Sequence, residues 1–105
     1  MTGKILPSDP TQAVKHLIGI VDQLIKLMER ESSALARQDG VSFTAAQEEK
    51  ATLAKSYEQA SAEFRSRLTD FRFVDKALLD RLDKLQRELS AKGKENMAAM
   101  GRISG

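Results

Sequence analysis

Cysteine is absent from the 105 residues, which excludes disulfides, thiolate zinc sites, iron–sulfur clusters and thiol nucleophiles. Tryptophan is absent too, aromatic side chains make up 5% of the chain, and there are only 2 prolines. That is poor material for a β-sandwich or barrel and good material for long helices. No apolar run approaches the roughly 20 residues of a membrane span, and the stretch from Met1 to Pro7 is too short and polar for a secretory leader. A cytoplasmic protein with no membrane insertion is expected. The six glycines stand singly, so no glycine-rich phosphate loop offers a nucleotide site.

What the chain does carry is charge, at 30% of residues, nearly balanced between 17 basic and 15 acidic side chains. The basic excess sits in residues 72–105, where positive and negative groups alternate at helical spacing, as in Asp80-Arg81, Asp83-Lys84 and Arg87-Glu88. That is a solvated helix face, and nucleic acid is not expected as a partner.

Apolar residues supply the periodicity. Asp9-Pro10-Thr11-Gln12 reads as a helix start, with Asp9 as cap, Pro10 at the first helical position and Gln12 reaching back as a capping box. Val14, Leu17, Val21, Leu24, Met28, Glu31 and Leu35 follow at alternating spacings of three and four, with Ile18 and Ile25 widening the stripe. Only Glu31 interrupts it. Gln38-Asp39-Gly40 closes the segment, with glycine in the left-handed conformation that ends a helix; the helix spans about 28 residues, roughly 42 Å.

Ser42 is the next cap candidate. Phe43, Ala46, Lys50, Leu53, Tyr57, Ala60, Phe64 and Phe71 then share one heptad frame, with Leu68 beside it. The alanines permit close approach of a neighbour, and Lys50 is expected to bury its methylenes while its ammonium reaches water. Beyond Phe71 the apolar positions become Leu78, Leu82, Leu85 and Leu89, a phase jump of half a heptad. Either a coiled coil stutters there or the chain turns between Thr69 and Asp75, where Asp70 and Asp75 are cap candidates and Phe73-Val74 favour extended backbone. A turn is favoured, because three helices of similar length bury one another's stripes and a lone helix of some 50 residues does not.

The expectation is therefore an all-α fold of three long amphipathic helices in an elongated antiparallel bundle or coiled coil. One helical domain covers residues 1–105, with a flexible N-terminus at 1–9 and helices at 10–39, 42–71 and 75–101. The third is expected to fray at its C-terminal end, since Gly93 costs a helix about 1 kcal/mol relative to alanine.

Chemistry finds little to work with. His16 is the only histidine, which removes multi-histidine metal sites and a Ser-His-Asp arrangement. A phosphotransfer bundle with one exposed histidine is conceivable, but Lys15-His16-Leu17-Ile18-Gly19 lacks the paired lysine and glycine just downstream that are usual at such sites, and an ordinary surface histidine is the simpler reading. The carboxylate pairs Glu29/Glu31 and Glu48/Glu49 splay across a helix instead of converging on one atom. No catalytic residue, metal ligand or cofactor is assigned. Asn96-Met97-Ala98-Ala99-Met100 and Ile103 form an apolar patch that either completes the third helix's core stripe or serves as an adaptable contact surface, methionine being flexible and polarizable.

Gln47-Glu48-Glu49-Lys50-Ala51-Thr52-Leu53, preceded by Glu31, the Ala34-Leu35 step and the Asp39-Gly40 break, resembles the FlgN family of flagellar export chaperones. The resemblance covers roughly residues 14–60. It implies a bacterial cytosolic chaperone of flagellar type III secretion that binds the terminal helices of hook–filament junction proteins before export and hands them to the membrane export gate. It also implies that the C-terminal helix, with an asparagine-containing stretch matched here by Asn96, carries much of the contact. The partner-binding residues expected on this basis are Leu85, Leu89, Asn96, Met97, Met100 and Ile103. The principal alternative is a coiled-coil structural or adaptor module that self-associates, for example as a homodimer.

Overall fold

The computed structural model describes residues 5–104, with side chains from residue 5 to residue 94. Among them are three long helices, α1 (Pro10–Ala36), α2 (Gly40–Ser66) and α3 (Lys76–Ser104), and no strand; a 3-10 turn at Leu68–Phe73 joins α2 to α3. The outline is elongated and flat, 46 × 32 × 18 Å. The all-α bundle expected from periodicity is what the chain forms.

α1 is the central element. Both α2 and α3 pack along it, whereas α2 and α3 approach each other far less closely among the described residues. α2 returns antiparallel to α1, since Lys50 near its start meets Glu31 near the end of α1. α3 then runs parallel to α1, with Lys92 beside Glu29. A helix serving two neighbours needs a wide apolar face, and α1 has one: Ala13, Ile20 and Leu27 are buried in addition to Val14, Leu17, Ile18, Val21, Leu24 and Ile25. Met28 and Leu35, placed on the stripe by spacing, are only half-buried.

α2 contributes less. Ala46 and Ala60 are fully buried, which lets α1 come close, while Leu53, Tyr57 and Phe64 are half-buried. Leu68, placed beside this stripe by the sequence, is exposed. The α-helix stops at Ser66, and the tighter 3-10 winding that follows changes the phase. Phe71 nonetheless turns inward and stacks on Phe64, ring centroids 4.5 Å apart.

The expected turn between helices two and three is present, and its boundaries fall near those read from the phase jump. Val74 is extended at φ −72, ψ 144, and Asp75 caps α3 by accepting from the Ala77 N–H at 3.0 Å. Asp70 does not cap; it accepts from Arg67 Nε at 3.4 Å.

Four local readings are corrected. Helix one ends at Ala36, not 39, because the left-handed residue is Gln38 at φ 57 and not Gly40. Gln38 N–H donates to Leu35 O and Asp39 N–H to Ala34 O, a Schellman closure that satisfies two terminal carbonyls. Gly40 already belongs to α2, whose cap is Asp39 and not Ser42; Ser42 donates to Asp39 through its N–H at 3.1 Å and its hydroxyl at 2.7 Å. These hydrogen bonds hold the Asp39 carboxyl below its ordinary value. Asp9 stands at the N-cap of α1 but makes no side-chain cap bond; its carbonyl accepts from Ala13 N–H. Finally, residues 5–9 are not a flexible leader, since Leu6 is buried in the core and its segment is tied to α2; residues 1–4 lie outside the described ones.

Candidate functional site

The core cluster occupies the part of the bundle between Leu6 and Ile25 of the first segment, with Ala60, Phe71, Val74 and Leu82 from the other elements. It stops at a polar belt built from three consecutive residues of α1. Successive helical residues point about 100° apart, so Glu29, Arg30 and Glu31 fan out to different neighbours. Glu29 pairs with Lys92 of α3 at 3.6 Å, Arg30 with Glu49 of α2 at 3.3 Å, and Glu31 with Lys50 of α2 at 2.8 Å. The first two are solvated. The third is sheltered on its acidic side, because the Glu31 carboxylate is fully buried while Lys50 is half-buried.

The two polar interruptions of the apolar stripes therefore meet. The half-buried Lys50 supplies the counter-charge for Glu31. A carboxylate in this position is expensive to desolvate and is tolerated with a cation in contact. The belt also keeps the carboxylates of Glu29, Glu31 and Glu49 engaged on separate partners, and no group of three His, Cys, Asp or Glu side chains able to hold a metal occurs among the described residues. His16 is exposed and lines a shallow groove with Ile5, Gly19, Ile20 and Leu53.

Among its described residues, α3 keeps much of its apolar stripe partly open. Of its leucines only Leu82 is buried; Leu78, Leu79, Leu85 and Leu89 pack against the core while remaining half-exposed. Leu85 and Leu89, four apart, share one face of α3. Each is also a core contact, so neither is a purely external anchor. A hydrogen bond from Gln86 Nε2 to Tyr57 Oη at 3.3 Å spans α3 to α2. Asn96, Met97, Met100 and Ile103 lie on the helical backbone of α3, but their side chains fall outside the described residues.

Past the belt, α3 continues for eleven residues after Gly93, about 16 Å of helix. At the α1–α2 end of the bundle Ala34, Leu35, Gly40 and Phe43 line an open, mainly apolar cleft, and Val41 is largely exposed beside it. Sequence reasoning missed this cleft and the half-exposed Leu79. It also missed Glu63 and Arg67, whose partners are some sixty residues away in the chain. No helix among the described residues is long and apolar enough to cross a membrane. No family model, curated protein or solved structure matches the chain.

Proposed function

We propose that this chain is a cytosolic export chaperone of the flagellar type III system, in the manner of the FlgN family it resembles over residues 14–60. It would bind terminal helices of hook–filament junction proteins and release them to the membrane export gate. The observation that carries the reading is the state of α3: a leucine stripe docked mainly on α1, with one of its five leucines buried and four half-exposed. An amphipathic client helix laid along such a stripe buries its own apolar face by helix-in-groove packing and needs no cofactor or nucleotide.

Release is helped by the same geometry. Leu85 and Leu89 already contact the core, so a client gains only the burial that remains, which keeps affinity moderate. The test is calorimetric titration of the chain with the isolated terminal helix of a hook–filament junction protein. A one-to-one complex, weakened roughly tenfold by Leu85→Gln and by Leu89→Gln, supports the proposal. Absence of binding with every such helix, in a protein of normal helicity, refutes it. Self-association through the stripe predicts instead a dimer in sedimentation that persists when client is added.

A further inference from the structure

The N-terminal segment is bound as a ligand would be bound. Glu63, on the last turns of α2, accepts from the Ile5 N–H through Oε2 at 2.8 Å and from the Leu6 N–H through Oε1 at 3.1 Å. One turn on, Arg67 donates from Nη1 to Pro7 O at 2.9 Å and from Nη2 to Ser8 O at 2.8 Å. Between these two forks the Leu6 side chain is buried in the cluster that includes Ala60, Phe71 and Val74. Pro7, Ser8 and Asp9 are exposed.

Every polar contact in this arrangement goes to the backbone of residues 5–8, and every one is charge-assisted, the stronger kind. The clamp therefore asks its occupant for a main-chain pattern of two N–H groups followed by two carbonyls, with one aliphatic side chain. Proline at the third position fits, since only its carbonyl is used and it has no N–H to leave unsatisfied. Arg67 is held independently of the strap: its Nε pairs with Asp70 at 3.4 Å, its guanidinium lies 5.3 Å from the Phe71 ring centroid, and Phe71 stacks on Phe64.

We propose that Glu63, Arg67 and the Leu6 socket form a peptide clamp, occupied here by the chain's own residues 5–8. When these lift out, it is open to an extended segment of a partner protein bearing an aliphatic residue followed by proline. The strap is a competitor in cis, anchored by the buried Leu6 with the half-buried Ile5 beside it. This site is separate from the α3 stripe and takes a different ligand, because the backbone groups inside a helix are already bonded to one another and cannot satisfy the two forks.

The test uses the full chain carrying Leu6→Asp, which ejects the strap by placing a charge in an apolar socket, and a labelled peptide with the sequence of residues 2–10. Saturable binding, at least about tenfold tighter to the variant than to the parent and lost in the Leu6→Asp/Arg67→Ala double variant, is expected. A peptide whose leucine is replaced by aspartate should not bind. If circular dichroism shows Leu6→Asp to be unfolded, Leu6→Ala replaces it in the same titration. Equal binding to parent and variant, or none at millimolar peptide to a folded variant, overturns the clamp. A parent dimer that dissociates on adding peptide overturns the partner assignment, since the occupant would then be a second copy's strap.

Discussion

At the scale of single residues, the Glu31–Lys50 pair sets a fully buried carboxylate against a half-buried ammonium, an arrangement open to measurement. Lys50→Met removes the cation that offsets burial of the Glu31 carboxylate and is expected to lower stability in urea unfolding by about 2–3 kcal/mol. The double variant Glu31→Leu/Lys50→Met should return to within about 1 kcal/mol of the parent, or exceed it, because an apolar pair carries no desolvation cost. Gln38 offers a test of opposite sign. Held at φ 57 without the freedom of glycine, it should be improved by Gln38→Gly, with a gain of about 0.5–1 kcal/mol. Both polar residues of the pair were legible as interruptions in their stripes. Their meeting was not, because each heptad frame is read on its own helix and the register between helices is set by the length of the turn.

Among the elements, α2 is the weakly amphipathic one and leans on its cap. Asp39 has its pKa lowered first by the Ser42 hydroxyl and then by the Ser42 N–H. A carboxyl lowered in the folded state stabilises it fully above the unfolded value of 3.8, and that contribution is lost as pH falls through the native value. Urea midpoints at pH 7 and pH 3 should therefore fall further for the parent than for Asp39→Asn, which keeps an acceptor but does not titrate. α3 has an internal glycine whose added Cβ would meet Met28 Cε at 4.0 Å, an ordinary contact. Gly93→Ala should raise stability by about 1 kcal/mol in the same assay. The half-heptad phase jump at Leu78 disclosed the turn before α3 with no glycine or proline to mark it. The cap and stop of the α1–α2 turn were displaced by two or three residues, since Gln38 took the conformation usually given to glycine. The strap at residues 5–8 left no trace in periodicity, because its bonds run from distant side chains to its backbone.

For the whole molecule, a flat arrangement in which two helices flank one leaves surface on the outer helices that a tighter three-helix bundle would have buried. α1 spends its wide apolar face on both neighbours, and among the described residues α3 has no second neighbour of comparable closeness. The candidate surface was legible to the extent that leucine spacing located Leu85 and Leu89. How far each is covered depends on the packing of α3 against its neighbours, chiefly α1, which no single stripe reveals. The measurement that bears most directly on this account is client binding by the full chain carrying Leu85→Gln and Leu89→Gln together, which makes two of the four half-exposed leucines of the α3 stripe polar. The account predicts that circular dichroism retains most of the helicity while calorimetric binding of the hook–filament junction terminal helix is lost. Binding at the affinity of the parent would contradict it.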